Sequence, residues 1–264
     1  TDDNGLATER LIERLKNVKG SRMDRTEFID LCLKTLEEIR PGFVQDWKNI
    51  GISADYNIFY STINDHCRKI SQKSFIDLYK QGREYQKEAP TIWCTHCETA
   101  IAQVELEDKE LESSFNDIIF KLENGKDLII ATTRPELLGS CVAIFAHPDD
   151  KRYEYLVGKK AKVPLFNQQV TILTDERVDP DKGTGIVMCC TFGDQTDIEW
   201  YKKHNLPLRM VIGRDGKMEA AAGKYAGMKI EEARKEIIED LKKAGLLVKQ
   251  KEIIHTVNTG ERSG

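Results

Sequence analysis

Two short stretches hold residues that could act together on a substrate. In Thr191-Phe192-Gly193-Asp194-Gln195-Thr196-Asp197, two carboxylates stand three residues apart. The stretch follows Ile186 to Cys190, an apolar run of strand length, and opens a helix over Gln195 to His204 with Lys202 and Lys203 in its last turn. Asp194 stands where an N-cap belongs. Acids three apart at a helix start lie on neighbouring faces, aimed into whatever cleft the strand end opens. The second stretch, Leu128 to Glu136, is a buried strand running into Thr132, Thr133 and Arg134 before Pro135 forces the chain out of the sheet. Threonine hydroxyls, freed strand-end amides and a guanidinium in one place can hold an ester carbonyl and a sugar or phosphate. Each residue also has an ordinary use. An N-cap aspartate stabilises a helix by ~1 kcal/mol, threonine is a good strand residue, and Arg134 could instead pair with Glu136 or a structural acid.

Other chemistries find little footing. There is no Gly-x-Ser-x-Gly elbow, no Walker loop and no dinucleotide fingerprint, since Gly183-Thr184-Gly185 leads into a strand and not a helix. His147, before Pro148 and two acids, reads as a turn cap, and His204 as a cation at a helix end. No side-chain nucleophile stands out. A hydrolase built from these residues has to position a water and let binding do the work. Cys94-Thr95-His96-Cys97 has the spacing of half a zinc site. Four ligands are needed and no second Cys-x-x-Cys occurs, so the site is incomplete and no cofactor is expected.

The elements that must position these residues divide by texture. Before Pro90 the chain reads helical, over Leu6 to Val18, Arg25 to Ile39 (ended by Pro41-Gly42), Asn57 to Ile70, and Ser74 to Tyr85 with Ser74 as N-cap. Phe59, Tyr60, Phe75 and Tyr79 recur at helical spacing and read as core. After Pro90 come short strands: Phe115 to Leu122, a turn at Glu123-Asn124-Gly125-Lys126, then Asp127 to Thr132, Cys141 to Ala146, Ala161 to Pro164, Gln169 to Thr174 and the Ile186 run. A helix over Ile230 to Ala244, closed by Gly245, precedes a strand over Leu246 to Val257. Many short strands with turn signals indicate a barrel or sandwich, and the fold class is α+β.

At 264 residues there is room for one large domain or two modest ones. Net charge is −4, with 40 basic against 44 acidic side chains, which argues against nucleic-acid binding through bulk charge but not against a local basic face. No apolar run approaches the ~18 residues of a membrane span. Of the seven cysteines, Cys32, Cys141, Cys189 and Cys190 sit in apolar surroundings and read as small buried hydrophobes, which suits a reducing cytoplasm.

Taken together, several motifs resemble the editing insertion of the archaeal-type valyl-tRNA synthetases, a family of class I aminoacyl-tRNA synthetases. These are Ala-Thr-Thr-Arg-Pro-Glu-Leu-Leu at 131–138, His-Pro-Asp-Asp at 147–150 and Gly-Thr-Gly-Ile-Val-Met-Cys-Cys-Thr-Phe-Gly-Asp-Gln-Thr-Asp at 183–197. Thr-Asp-Asp-Asn-Gly-Leu-Ala-Thr-Glu at 1–9 resembles a segment of the family's synthetic domain. Trp93-Cys94-x-x-Cys97 and His255-Thr256-Val257 before Glu261-Arg262-Ser263-Gly264 also fit. Neither nucleotide-binding signature of the family, His-Ile-Gly-His or Lys-Met-Ser-Lys-Ser, occurs in the chain. The resemblance therefore implies an editing piece that does not activate valine, ATP being used only by the full-length enzyme.

The resemblance implies a β-barrel-rich editing domain over residues 99–252, inserted between a helical stem over 1–98 and a returning stem strand over 253–264. Its implied activity is hydrolysis of mischarged threonyl-tRNA(Val). A valine pocket rejects threonine's hydroxyl by only ~10²-fold, a magnitude that belongs to valyl enzymes themselves, so a second pocket has to accept the hydroxyl. By position, Asp197 would hold the substrate's amino group and Asp194 the threonyl hydroxyl. Thr132 and Thr133 would lie near the ester and terminal ribose, with Arg134 beside them. Gly183, Thr184, Gly185, Met188, Cys190, Thr191 and Phe192 complete the implied substrate-binding set. Leu137, Met188 and Cys190 depart from the threonine, lysine and threonine of many bacterial members, and Ser263 stands near a position often held by cysteine. The implied partner is the acceptor end of tRNA(Val) carrying threonine, reached by a cytoplasmic monomer without a membrane. Lys159, Lys160, Lys162, Lys202 and Lys203 are candidates for phosphate contacts, although such runs are more often solvated faces. Two alternatives remain open: an isoleucyl-type site that clears valine, and a catalytically silent tRNA-docking module.

Overall fold

The computed structural model describes residues 5–87, 89–261 and 263. Contacts divide the chain into a unit of residues 1–88 and a unit of residues 89–264. Residues 1–4, 262 and 264 of the family motifs lie outside the described residues.

The first unit is helical: α1 (Gly5–Lys16), α2 (Arg25–Asn49) and α3 (Asp65–Lys80). Asp24 caps α2 by accepting from the amides of Thr26 (2.9 Å) and Glu27 (3.3 Å). Two expectations fail here. Pro41-Gly42 does not end the helix, because α2 continues to Asn49 with Pro41 inside it. An internal proline removes one backbone bond and costs about 3 kcal/mol. The turn beyond it is tied by Phe43 against Trp47 (ring centroids 5.0 Å apart) and Gln45 bonded to Asn49 (2.9 Å). The helices expected over Asn57 to Ile70 and Ser74 to Tyr85 are one helix, α3, and Ser74 lies inside it. Its N-cap is Asn64, which accepts from the Cys67 amide at 2.8 Å. Residues 57–63 are instead held in turns by Asp55 and Ser61, whose side chains accept from the amides of Asn57 and Ile63. Phe59, Tyr60, Phe75 and Tyr79 are exposed and not core; the first two lie in these turns, with the Arg40 guanidinium over the Phe59 ring, and only Phe75 and Tyr79 lie on α3. Cys32 is half-buried.

The second unit begins with a hairpin, β1 (Trp93–Cys94) and β2 (Thr99–Ala100). One mixed sheet follows, of β3 (Leu106–Leu122), β4 (Asp127–Thr132), β5 (Cys141–Ala146), β6 (Lys160–Lys162), β7 (Gln169–Thr174), β8 (Ile186–Cys190) and β9 (Leu247–Gly260). Its order is β4-β3-β6-β7-β5-β8, with β9 also on β3; only β5 and β7 run parallel. Asn124 and Gly125 (φ +80°) make the tight turn from β3 to β4, with Asn124 accepting from the Lys126 amide at 3.1 Å. The sheet curls until its end strands β4 and β8 lie beside each other, a half-closed barrel. The α+β class and its barrel character hold. β3 and β9 are longer than expected, paired from Leu106↔Gly260 to Ile118↔Leu247. The outer part of β3, Glu107 to Glu112, is exposed on both faces, so no alternation betrays it in the sequence, whereas its partner on β9 alternates between half-buried and exposed residues.

Inward-facing Ile118, Phe120, Ile130, Ile144, Ile172 and Ile186 fill the barrel. Helix α5 (Ile230–Lys243) covers it with Ala233, Ile237 and Leu241, all fully buried. A smaller core of Ala143, Phe145, Val178, Cys189 and Trp200 lies under α4 (Gln195–His204). The Phe145 and Trp200 rings stack with centroids 4.4 Å apart. Cys141, Cys189 and Cys190 are buried, as expected of small hydrophobes. Among the described residues no helix is long and apolar enough to cross a membrane.

Phe120 is the largest fully buried side chain of the barrel. Phe120→Ala should destabilise this unit by about 3–5 kcal/mol in denaturant unfolding. A loss below about 1 kcal/mol would show that the barrel interior is not packed around it.

Candidate active site

The end of β4 and the start of α4 meet through one side chain. Arg134 leaves the strand after Thr133, and its Nη1 donates to the carbonyl of Gly193 at 2.8 Å, across 59 residues of chain. Its Nε donates to Glu136 Oε1 at 3.2 Å, so the ordinary pairing with Glu136 and the reach to the second stretch both occur. Glu136 is fully buried and takes a second, two-pronged pair from Arg234 of α5, at 2.8 and 2.9 Å. A carboxylate in that position requires such partners, because a buried charge without them is strongly destabilising. On the strand itself, Thr132 is buried and its Oγ1 accepts from the Arg134 amide at 3.1 Å, which shapes the exit from the sheet. Asn116 of β3 donates to the Thr132 carbonyl at 3.2 Å and is held in turn by Gln250 at 2.9 Å. Thr133 is half-buried beside them.

After β8 the chain turns through Thr191, Phe192 (φ +64°) and Gly193 into α4. Asp194 is the N-cap, as its place in the sequence indicates: its Oδ1 accepts from the Asp197 amide at 2.9 Å. Asp194 is exposed and Asp197 buried. Gly193 is needed because of Asp197. A Cβ at position 193 would stand 2.4 Å from Asp197 Oδ2 and 3.3 Å from the Leu137 side chain. The Asp197 carboxyl thus lies against the same peptide segment whose carbonyl Arg134 holds, with Leu137 on its flank.

Burial pushes the Asp197 carboxyl up to about 7, and the charge of Asp194 adds to the shift. The Cys189 thiol and the amides of Gly193 and Asp194 favour the ionised form but do not offset it. A carboxyl at that value changes charge near neutrality. The far end of α4 is pinned by Asp175, which takes Lys203 at 2.6 Å and His204 at 3.4 Å. Burial would raise Asp175, but the hydrogen bonds of Lys203, the Arg177 amide and His204 outweigh it and hold the carboxyl well below its ordinary range. Lys203 is therefore committed to Asp175.

The remaining site residues of the sequence reading fall into three places. Thr191 is buried at the rim, its amide and hydroxyl donating to Ser140 O at 3.2 and 3.3 Å and its hydroxyl accepting from the Arg209 amide at 3.2 Å. Phe192 stands edge-on to Tyr201 of α4, centroids 5.0 Å apart. Gly183 (φ +62°) packs against β4, where a Cβ would meet that of Ala131 at 3.0 Å. Thr184 accepts from the Tyr153 hydroxyl at 2.6 Å, and Gly185 (φ +77°) lies beneath the Arg152 guanidinium. Met188 packs against the main core and Cys190 is part of it, beside Cys141. These two line the barrel beneath the acids. Sequence reasoning missed Asn116, Arg209 and Arg234; all three are remote in the chain from the motifs they serve.

His147 caps its turn, with Nδ1 accepting from the Asp149 amide at 3.2 Å. Cys94 Sγ lies 3.2 Å from Ser263 Oγ, and Cys97 donates its amide to Cys94 Sγ at 3.2 Å. Two thiols and a hydroxyl do not make the donor set of a structural zinc, and no group of three or more His, Cys, Asp or Glu among the described residues is arranged to hold a metal.

Residues 1–259 match the family described as tRNA synthetases class I (I, L, M and V), and the chain belongs to that family. It is 50% identical over 269 residues to the valine–tRNA ligase of Haloarcula marismortui, covering 99% of this chain and 30% of that protein. It is 52% identical over 264 residues to the valine–tRNA ligase of Rickettsia conorii, covering 100% and 32%. The chain thus spans about a third of the length of these ligases. A solved leucyl-tRNA synthetase of Agrobacterium radiobacter K84, in a ternary complex with tRNA and LeuAMS, aligns over 97% of this chain and 39% of its own at 15% identity and a TM-score of 0.43.

The raised Asp197 carboxyl has a consequence for stability. Between about pH 4 and 7 the native state keeps this proton while the unfolded chain has released it, so stability falls as pH rises through that window and is level above it. Moving the carboxyl from its ordinary 3.8 to about 7 is worth at most about 4 kcal/mol. Asp197→Asn removes that slope, so the variant should gain on the parent in denaturant unfolding as pH goes from about 5 to about 8. An unchanged gap would show that burial does not hold the proton on this group.

Proposed function

We propose that the unit of residues 89–264 is an editing site that hydrolyses the ester of threonyl-tRNA(Val), within a longer protein that charges tRNA with valine. The observation that carries this reading is the Arg134–Gly193 hydrogen bond, which brings the Thr132–Thr133 strand end to the aspartates of α4. Its wider support is the half identity to valine–tRNA ligases along the whole chain. In this reading Asp197, ionised, takes the α-ammonium of the aminoacyl group. Asp194, exposed at the helix N-cap, accepts the threonyl hydroxyl, a bond that valine's methyl cannot make. Thr132, Thr133 and Arg134 flank the ester and the terminal ribose. A water held between these groups and the ribose hydroxyl attacks the carbonyl, the ester C–O bond breaks, and threonine and tRNA leave.

The alternatives part company at Asp194 and Asp197. An isoleucyl-type site clears valine and has no use for an exposed acid against the side chain. A docking module needs no ester hydrolysis, so its Asp197 could be replaced without loss of tRNA binding. Exposed Lys159, Lys160 and Lys162, the last two flanking buried Ala161 on β6, and Lys202 on α4 are cations that could meet the incoming acceptor strand.

The test is deacylation by the chain itself. Threonyl-tRNA(Val) should be hydrolysed and valyl-tRNA(Val) spared by at least ~100-fold, the factor that the synthetic pocket lacks. Asp197→Ala should abolish turnover while circular dichroism stays unchanged. The kcat/KM of the parent should rise through about pH 7 and level above it, as the carboxyl ionises. Equal rates on both esters would remove the valyl-type assignment, and no rate above buffer would favour the docking module.

A further inference from the structure

Arg234 stands apart from every motif that marks this site. It lies on α5, the helix that lids the barrel, 98 residues along the chain from Glu136. Its Nε and Nη2 grip both oxygens of Glu136 at 2.9 and 2.8 Å, and Glu136 is fully buried. The carboxylate has one further bond, Oε1 to Arg134 Nε at 3.2 Å. Arg134 then spends Nη1 on the Gly193 carbonyl. A guanidinium is planar, so fixing Nε on one side and Nη1 on another fixes the whole group in orientation and leaves its remaining N–H bonds pointing one way. The Arg134 side chain is 43% exposed, so that free edge faces solvent at the strand end.

We infer that Arg234 is a positioning residue for the ester-hydrolysing site, acting through Glu136 to hold Arg134 against Gly193. The inference rests on the editing reading, but the contacts that motivate it do not. Without Arg234, Glu136 keeps a single donor and is free to rotate toward Arg134 as a two-pronged partner. That rotation takes Nη1 away from Gly193, and the peptide against which Asp197 is packed loses its tether. In the editing reading the protein groups at the ester come from β4 and the β8–α4 turn. The hydrogen bonds of Arg234 go to Glu136, so its effect passes along this chain of bonds.

The experiment is a double-mutant cycle on threonyl-tRNA(Val) hydrolysis with Arg134→Gln, Arg234→Gln and the pair, each checked for folding by thermal unfolding. Arg234→Gln should lower kcat by about 100-fold, as a misplacement of about 1 Å in a positioned group does. KM should change little. The pair should be no worse than Arg134→Gln alone, since both act on one element. A residue that merely stabilises the lid would give losses that multiply, and that result would overturn the inference. Because Arg234→Gln leaves Glu136 buried with one partner, Glu136→Gln/Arg234→Gln serves as the variant with no buried charge, and it should show the same loss in kcat. A second readout needs no activity: the Arg134 Nη1–H that bonds the Gly193 carbonyl, followed by nitrogen-15 NMR, should be protected from exchange in the parent and lose protection in Arg234→Gln. If the parent hydrolyses neither ester, the editing reading falls alone. The Arg134 signal then decides the coupling, with lost protection supporting it and unchanged protection overturning it.

Discussion

Arg134 reaches two partners with one rigid group, and the arrangement of the site follows from that. The guanidinium bonds Glu136 on its own turn and the Gly193 carbonyl from the other half of the sheet. β4 and β8 are the end strands of the sheet and share no hydrogen-bonded ladder among the described residues, and the Arg134–Gly193 bond ties the end of one to the turn after the other. A charge-assisted bond to a carbonyl in a partly buried place is worth more than its exposed equivalent. Here it closes the gap that the backbone leaves.

Several features have their reason in that closure. Gly193 carries no side chain because Asp197 Oδ2 fills the space where a Cβ would be. Asp194 caps α4 and adds its charge to the burial that raises Asp197. The lower core of Phe145, Trp200 and Cys189 holds α4 from below, and Asp175 grips its last turn through Lys203 and His204. Both ends of the helix are therefore fixed. A carboxyl that is costly to ionise is kept in place by Asp194 at one end of the helix and, from below and behind, by a core and an Asp175 cluster that take no part in the proposed reaction, a common division where a functional site opposes stability.

Much of this was legible in the sequence, and the limits are physical. The N-cap role of Asp194, the strand over Ile186 to Cys190 and the helix over Gln195 to His204 are local, set by residues within one turn of each other. The turn at Asn124-Gly125 is equally local. The failures are of two kinds. Pro41 and Ser74 look like boundaries by propensity, yet contacts between Phe43 and Trp47 and the Asn64 cap outweigh them. Long-range partners leave no local trace: Arg234 on Glu136, Asn116 on Thr132 and the outer β3–β9 ribbon each join segments far apart in the chain. Met188 and Cys190 belong to the family motif but face the core, which a linear pattern does not reveal.

The central claim is that the acids of α4 and the strand end of β4 form one cup that accepts an alcohol and declines a hydrocarbon of the same size. Calorimetric titration of the chain with two non-hydrolysable amides of terminal adenosine, one carrying threonine and one valine, measures that preference without any catalytic step. The threonyl amide should bind at least ~10-fold more tightly, the worth of one hydrogen bond to a charged acceptor. Equal affinities, or a preference for valine, would contradict it.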